Sequence, residues 1–347
     1  MNCFRHCAMA LAVAQASAVA QAQNTDTGKP ERLIEHVLVT MPLHKETAET
    51  ALPFTVVSGD ELRRSAGATI GSTLANLPGI SNASFGPGVG QPVIRGQQGP
   101  RVRVLQNGTT SADASKASQD HANAVEALLA NSIEVLRGPS TLLYGGGAIG
   151  GVVNVLDNRI PTTLPEGPSG GLSYRHDTAS SMDVGVAKFE GSSGNFAFHL
   201  DAMARDFDDL EIPGMAALGE DGDHDSEDHD GEDHDDEGDA PSGIVPNTAG
   251  DAKSFTFGSS YHFDSGFVGL SVSRLENTYG LPAGAHAHEH DEDHDDDHEG
   301  EDHEDHEEED EEGGITLDME QTRYDALAHW HDVVPGIEVA RAFITYT

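Results

Sequence analysis

From residue 169 onward, apolar and polar residues alternate along the chain with a period of two. Phe196, Phe198 and Leu200, for example, alternate with His199 and Asp201. Successive side chains of a β-strand point to opposite faces of the sheet. About ten residues with one apolar face and one small or polar face are typical of a strand in a membrane-spanning barrel. The pattern predicts seven antiparallel strands, at residues 170–177, 182–190, 195–206, 251–263, 266–278, 315–332 and 336–347.

The segment before those strands lacks this uniform pattern and predicts a mixed α+β domain. Helices are predicted to begin at Ser58 or Asp60, to run from Ile70 to Leu77 and to run from Val125 to Ala130. The dipeptide Asn107-Gly108 is typical of a tight hairpin turn. Short apolar and β-branched runs predict strands at residues 52–57, 92–96, 101–105 and 133–139.

The first 22 residues are predicted to be a cleaved secretory signal peptide. Arg5 precedes an alanine-rich apolar stretch, and A-x-A cleavage sites end at Ala20 and Ala22. Both cysteines of the chain, Cys3 and Cys7, lie in this segment, so the exported protein is expected to lack disulfide bonds and thiolate metal sites. Because no later run of about 18 apolar residues predicts a spanning helix, a periplasmic protein or a β-barrel is expected.

The acidic residues are concentrated in two segments. The formal net charge is -41, and residues 220–239 contain 13 of the 60 carboxylates while residues 289–312 contain 18. Without these two segments the net charge is about -10. A chain of this sign repels polyanions, so nucleic acid is excluded as a partner.

Ten of the 19 histidines interleave with these carboxylates, in predicted loops at residues 219–240 and 285–314. Such low-complexity sequence cannot bury a core and is expected to be disordered. A run of Asp and Glu alone is ordinarily only a solvated loop, whereas imidazole adds a ligand that suits borderline metals such as zinc. We therefore hypothesise weak capture of divalent cations by His224, His229, His234, His286, His288, His290, His294, His298, His303 and His306.

Several ordered motifs resemble the plug domain of TonB-dependent outer-membrane receptors. The stretch Ile133 to Ser140, the tripeptide Leu143-Tyr144-Gly145 and the stretch Gly150 to Val155 are similar to the plug signature. Val93 to Gly96 also matches, as does the turn ending in Asn107-Gly108, where the family more often has Asp at the first position. The resemblance covers roughly residues 33–155.

This resemblance implies a barrel of about 22 strands with the plug in its lumen. Residues 169–347 number 179 and cannot supply that many strands. The expected fold is therefore an α+β plug domain followed by an incomplete antiparallel transmembrane β-barrel of about seven strands, from a fragment or truncated product. The expected organisation is a signal peptide (1–22), a periplasmic linker (23–47), the plug (48–160) and the first part of the barrel (161–347).

A second implication of the resemblance concerns the linker. Its residues Glu35, His36, Val37, Leu38, Val39 and Thr40 resemble the TonB box, through which the inner-membrane TonB complex pulls on the plug. An extended segment of this kind can pair with a partner's sheet edge. The residues alone fit the first strand of the following domain equally well. The implied partners are the TonB complex and outer-membrane lipid.

A narrower resemblance points to the cargo. Ser118 to Ala122 is similar to a plug segment of the zinc-import branch, in which adjacent Asp and His residues bind metal at the plug apex. The resemblance makes Asp120 and His121 candidate ligands for zinc or another divalent cation as transported cargo. Zinc sites take about four ligands, so the others would come from the barrel wall. A siderophore, haem, nickel or copper receptor and an extracytoplasmic metal-buffering protein are the alternatives.

Nothing in the sequence indicates an enzyme or a catalytic cofactor. Gly145 to Gly150 fits G-x-G-x-x-G, but a dinucleotide site requires a helix after the last glycine. The β-branched run from Val152 to Val155 predicts a strand there instead.

Overall fold

The chain forms a small mixed domain followed by one large antiparallel sheet, which we call the wall. The computed structural model describes residues 54–111, 114–116, 118–145, 147–215, 242–282, 314–334 and 337–347.

The described part of the small domain contains seven strands and two helices. The strand at Ile80–Ser84 was not predicted, and the helix that begins at Ile70 ends at Leu74 and not at Leu77. Single turns of 3-10 helix lie at Gly99–Arg101, Ala114–Lys116 and Ala127–Leu129, and a longer one at Gly138–Tyr144. The strands and helices are β1 Phe54–Ser58, α1 Gly59–Ser65, α2 Ile70–Leu74, β2 Ile80–Ser84, β3 Gly90–Ile94, β4 Val102–Gln106, β5 Thr109–Thr110, β6 Ser132–Leu136 and β7 Gly151–Leu156.

A five-stranded sheet in the order β1-β6-β7-β4-β5 carries the core of the small domain. Only the pair β4–β7 is parallel among these neighbours. Leu62, Ile70 and Leu74 lie on the buried faces of the two helices. They form one apolar cluster with Ile133 and Val153 of the sheet, so burial of these residues holds the helices on the sheet.

The Asn107-Gly108 turn between β4 and β5 is confirmed. Its φ angles are 51° and 81°, the left-handed values that a two-residue hairpin turn requires and that Asn and Gly tolerate best. The backbone N–H of Gly108 donates to Oδ1 of Asn154 at 2.8 Å, and Nδ2 of Asn107 donates to Oδ1 of Asp157 at 2.8 Å. The turn is thereby fixed to the end of β7.

The seven predicted strands of the wall are all present. They are β8 Ser169–Asp177, β9 Met182–Ser193, β10 Phe196–Phe207, β13 Gly250–Phe263, β14 Gly266–Leu281, β15 Ile315–Val334 and β16 Ile337–Tyr346. Their order is β16-β15-β14-β13-β10-β9-β8, so neighbours in space are also consecutive strands of the wall. Between β10 and β13 the chain adds a hairpin that was not predicted, β11 Leu210–Met215 with β12 Ser242–Val245.

The wall inverts the distribution of side chains found in water-soluble proteins. Leu172 and Leu270 on its outer face are 74% and 67% exposed, whereas His199, Asp201 and Arg323 on its inner face are 1–2% exposed. The inner face lies against the small domain. An outer surface made of exposed apolar residues is expected where a strand faces lipid.

The predicted helix from Val125 to Ala130 is wrong, because only Ala127–Leu129 forms one 3-10 turn. The ammonium group of Lys188, on the inner face of the wall, donates to the carbonyl of Leu129 at 2.8 Å. Arg205, on the same face, forms an ion pair with Glu126 at 3.2 Å. These contacts with the wall replace the main-chain bonds of a longer helix.

Among the residues that the structure describes, no helix has both the length and the apolar character needed to cross a membrane.

Candidate functional site

Asp120 and His121 lie together in the segment between the 3-10 turns Ala114–Lys116 and Ala127–Leu129. Nδ1–H of His121 donates to Oδ1 of Asp120 at 2.8 Å. The side chain of Asp120 is 5% exposed and that of His121 is 30% exposed. The carboxylate is therefore buried beneath an imidazole that reaches the surface.

This geometry assigns different roles to the two residues. A carboxylate bonded to one ring nitrogen fixes the tautomer and orientation of a histidine, and it raises the basicity of the other nitrogen. With Nδ1 protonated, Nε2 of His121 is the nitrogen that can bind a metal. Asp120 then orients His121, although the sequence analysis treated both as direct ligands. Among the described residues, no group of three or more His, Cys, Asp or Glu side chains is placed to hold a metal ion, so a metal at this pair would need further ligands.

Asp120 is held in its ionised form. Burial favours the neutral acid, but the hydrogen bonds from Ser118 and His121 and the charge of His121 together outweigh burial and lower the pKa of Asp120 below its usual value. An ionised Asp120 keeps its acceptor available to Nδ1–H of His121 across the neutral pH range.

Gln91 of β3 shapes the segment that carries the pair. Its side-chain amide donates to the carbonyls of Ser115, Ser118 and His121 at 3.0–3.1 Å. Gln91 is buried, so these bonds satisfy a buried donor and gather three main-chain carbonyls around it. The backbone position of His121 is thus set by a strand of the small domain.

The wall fixes the same segment from the other side. The backbone N–H of Ala122 donates to the hydroxyl of Tyr279 on β14 at 3.0 Å. Ala122 and Tyr279 are both buried, in an apolar cluster with Val89, Phe207 and Leu281. His121 therefore lies at the end of the wall where β10 and β14 finish.

That end of the wall, which we call the loop end, is where both histidine-rich segments leave the described structure. Residues 216–241 follow β11 and residues 283–313 follow β14. At the opposite turn end, consecutive strands are joined by only two residues, such as 194–195 and 264–265. The candidate pair and the points of departure of both segments are therefore on the same side of the small domain.

Asn247 joins the bases of the two histidine-rich segments. It follows β12, and its Nδ2 donates to the carbonyl of Leu281 at 2.5 Å and to the carbonyl of Ile315 at 2.9 Å. Leu281 ends β14 and Ile315 begins β15. The side chain of Asn247, which follows the first histidine-rich segment, thus bonds to the strand residues on both sides of the second.

Most predicted binding residues lie outside the described residues. These are the TonB-box-like residues Glu35, His36, Val37, Leu38, Val39 and Thr40, and the histidines His224, His229, His234, His286, His288, His290, His294, His298, His303 and His306. Their predicted roles remain predictions, as does that of the signal peptide.

A second group of charges joins the small domain to the wall. Arg159 donates to both carboxylate oxygens of Asp157 at 2.7–3.0 Å and reaches Asp325 of β15 at 3.3 Å. Arg323 donates to Asp325 at 3.0 Å and to the hydroxyl of Thr109 at 2.5 Å. Because every charge here has an opposite partner, the cluster holds domain and wall together.

A buried histidine on the inner face also serves packing. His199 of β10 contacts Asp201 through Nε2 at 2.8 Å and Glu190 through Nδ1 at 3.1 Å. Both ring nitrogens face carboxylates, which only accept, so both must donate. His199 therefore bridges two carboxylates and has no nitrogen left for a metal.

The fold also argues against a dinucleotide site at the G-x-G-x-x-G match, Gly145 to Gly150. Strand β7 begins at Gly151, directly after the Gly145–Gly150 run, where a dinucleotide site would need a helix N-terminus.

Sequence reasoning missed Gln91, Tyr279 and Asn247. Their partners are up to 157 residues away along the chain, and no local pattern marks such contacts. Asn247 carries a weak signal, since it follows Pro246 and adopts φ 57°, as turn asparagines often do.

Residues 46–152 match the family described as TonB-dependent Receptor Plug Domain. The match covers nearly all of the small domain, which therefore has the plug fold that this family describes. The plug and the seven-stranded wall together have the fold of part of a TonB-dependent receptor.

Solved structures share this fold at low identity. The copper transporter OprC has a TM-score of 0.58 and 14% identity, over 84% of this chain and 36% of its own. A mutant ferric enterobactin receptor (PfeA) from Pseudomonas aeruginosa, in complex with enterobactin, has a TM-score of 0.57 and 14% identity, over 84% and 40%. The FrpB iron transporter from Neisseria meningitidis has a TM-score of 0.57 and 13% identity, over 84% and 40%. This chain thus spans well under half the length of each.

Proposed function

We propose that this chain supplies the plug and part of the barrel wall of a TonB-dependent receptor of the Gram-negative outer membrane, and that the receptor imports a divalent metal, with zinc the first candidate. The plug-domain match and the exposed apolar outer face of the wall support the architecture. Receptors of this family transport and do not catalyse.

The geometry of His121 is the observation that supports metal as the cargo. Its ring donates through Nδ1 to a buried, ionised carboxylate and lies at the loop end, from which both histidine-rich segments leave. Carboxylate-bonded histidine is the usual arrangement of a metal-binding imidazole. A lumen cation would complete its coordination with water or with further wall residues.

Import requires the metal to pass from the loops to the plug and then inward. The acidic segments raise the local cation concentration within about a Debye length, ~8 Å at physiological ionic strength. His121 then binds the metal in the resting plug. Pulling on Glu35 to Thr40 must change the affinity of the plug, because a ligand responds to a conformational change only through a difference in affinity between the states.

Other cargoes remain as alternatives. Imidazole also suits copper and nickel, and the structures that share the fold are named as copper, iron and ferric enterobactin transporters or receptors. Competition between zinc, copper and nickel for the purified full-length receptor decides among the cations. A metal-buffering protein needs no energy source and therefore no TonB-box-like segment in the linker. Deletion of that segment distinguishes a buffering protein from an importer.

Deletion of Glu35 to Thr40 from the full-length receptor is expected to reduce zinc accumulation to that of receptor-deleted cells, while zinc binding stays unchanged. The reason is that an extended segment binds its partner through main-chain pairing, which deletion removes. Zinc accumulation under zinc limitation is the measurement. Deletion of the six residues Asn24 to Lys29 is the matched control and should leave uptake intact. A buffering protein would tolerate both deletions equally.

Removal of residues 220–239 and 286–312 is expected to lower zinc uptake when zinc is scarce but not when it is abundant. A second variant with the ten histidines replaced by Asn keeps every carboxylate. It should lose most of the same uptake if imidazole ligands matter, and little of it if the negative field alone concentrates cations. Unchanged uptake at limiting zinc in the deletion variant would exclude a capture role.

A further inference from the structure

Two histidines of β15 lie at the turn end of the wall, far from His121. His329 and His331 are two residues apart, so their side chains share one face of the strand. Arg323, Asp325 and Leu327 precede them on that face and are buried, Arg323 and Asp325 against the small domain. The two imidazoles therefore continue the inner row of the wall.

Their distance from the candidate site follows from the strand register. Leu317 of β15 pairs with Tyr279, beside Ala122 at the loop end, whereas His329 pairs with Phe267. Twelve residues of strand separate Leu317 from His329, or about 40 Å at ~3.3 Å per residue. The backbone N–H of His331 donates to the carbonyl of Ser265 in the connection between β13 and β14 at 2.7 Å. The pair thus lies at the turn end of the wall, the end that under the proposed function faces the energised, periplasmic side.

The spacing of the two rings suits a shared metal ion. The rings of His329 and His331 make an edge-to-face contact, with centroids 4.5 Å apart and planes inclined by 62°. A zinc ion about 2.0–2.1 Å from a ring nitrogen lies roughly 3.2 Å from the ring centroid, so two imidazoles on one ion have centroids about 4.5–5.2 Å apart at ordinary ligand angles. The observed separation falls at the lower limit of that range.

Among the described residues, His329 and His331 are the two side chains placed to bind such an ion. Phe267 stacks on His329 with centroids 5.6 Å apart and on His262 with centroids 5.2 Å apart, so it separates His262 from the pair. No third His, Cys, Asp or Glu is grouped with them among the described residues. Each imidazole has two nitrogens, and binding through one leaves the other for a hydrogen bond.

We infer that His329 and His331 form a weak site for a borderline divalent metal at the exit of the lumen; its role as a release site rests on the proposed import function. Water would fill the remaining coordination positions. Two imidazoles favour zinc, copper or nickel over calcium and magnesium, which prefer oxygen. Weak binding suits release, since a tight exit site would retain the cargo.

Residue-resolved protection from chemical modification tests the site without any transport assay. The purified full-length receptor is treated with diethyl pyrocarbonate in the presence of increasing Zn²⁺, and modification of each histidine is read by peptide mass spectrometry. Modification of His329 and His331 is expected to fall several-fold as Zn²⁺ rises, and to fall together. Ca²⁺ at the same concentrations should give no protection. Equal modification with and without Zn²⁺ would overturn the inference.

Variants identify the second ligand, and His262 is the internal control. In His331→Asn, protection of His329 should disappear, because one imidazole alone holds zinc poorly. In His262→Asn, protection of His329 should persist; its loss there, or its survival in His331→Asn, contradicts a two-histidine site. His121 reports on the proposed function in the same spectra. Protection of the exit pair without protection of His121 would reject the apex site and leave this inference standing.

Discussion

Replacement of His121 with Ala in the full-length receptor is expected to abolish high-affinity zinc binding, and Asp120→Asn is expected to weaken it by about 10–100-fold. The first change removes the nitrogen that binds the metal. The second keeps the shape of the side chain but removes the charge that orients the ring at 2.8 Å. Zinc titration of the purified receptor measures both effects, and uptake should fall in parallel.

His176 provides a matched control for this prediction. It also lies at the loop end and contacts a carboxylate, Asp183, at 2.9 Å, but its side chain is 48% exposed and does not face the small domain. His176→Ala should therefore leave zinc affinity unchanged. If His121→Ala binds zinc as the wild type does, the apex site is wrong; if His176→Ala also loses binding, the effect is not specific to the apex.

Replacement of Asp325 with Ala is expected to lower the free energy of unfolding by about 3–5 kcal/mol, because it leaves buried positive charge without its carboxylate partner. Arg323 and Asp325 have side chains no more than 1% exposed, and Arg159 is 8% exposed. Without Asp325, Arg323 loses its carboxylate partner at the contact between the wall and the small domain. Denaturant unfolding of the full-length receptor in detergent is the measurement.

An exposed ion pair on the same strands is the control for Asp325. Arg274 contacts Glu276 at 2.7 Å and Glu320 at 3.2 Å, on the part of the outer face between the apolar residues Val268 to Val272 and the loop end, with about half of its side chain exposed. Arg274→Ala should cost less than about 1 kcal/mol, since solvent screens such pairs. Similar losses in both variants would show that the buried cluster has no special role in joining plug and wall.

The stability of the protein at acid pH tests the same buried charge cluster, through the ionisation of Asp157. The free energy of unfolding measured against pH is the experiment. Burial raises the pKa of this carboxyl, but the charge and hydrogen bonds of Arg159 outweigh burial and lower the pKa to about 2. A depressed pKa stabilises the folded state above the unfolded value near 3.8, and the contribution is lost as pH falls toward 2. Asp157→Asn should be less stable at neutral pH and should lose less stability than the wild type over that interval.

The sequence predicted the wall well because the relevant signal is local. Alternation such as Phe196 to Asp201 indicates which face of a strand is exposed and which packs toward the plug, and the burial of alternate residues confirms that difference. The same logic failed for Val125 to Ala130, where Lys188 and Arg205 of the wall decide the conformation. Local propensity is a weak prior once tertiary contacts compete with it.

The candidate site was only half accessible to sequence reasoning. A resemblance suggested Asp120 and His121, but their different roles depend on which ring nitrogen meets the carboxylate. Gln91 and Tyr279 position the pair through main-chain atoms of Ser115, Ser118, His121 and Ala122. Contacts to main-chain atoms impose no residue type on their partners, so no sequence pattern could reveal them.

The two hydrogen bonds of the Asn247 carboxamide fix the strand ends of the wall independently of the histidine-rich segments that follow them. Leu281 and Ile315 are bonded through their carbonyls, which any substitution preserves. We therefore expect insertions of different length and composition at residues 216–241 and 283–313 to leave the strand register below them unchanged. Under the proposed function, such a receptor could vary the segments that it displays to the environment, including to antibodies or phage, while the residues that bind and pass the metal are inherited unchanged.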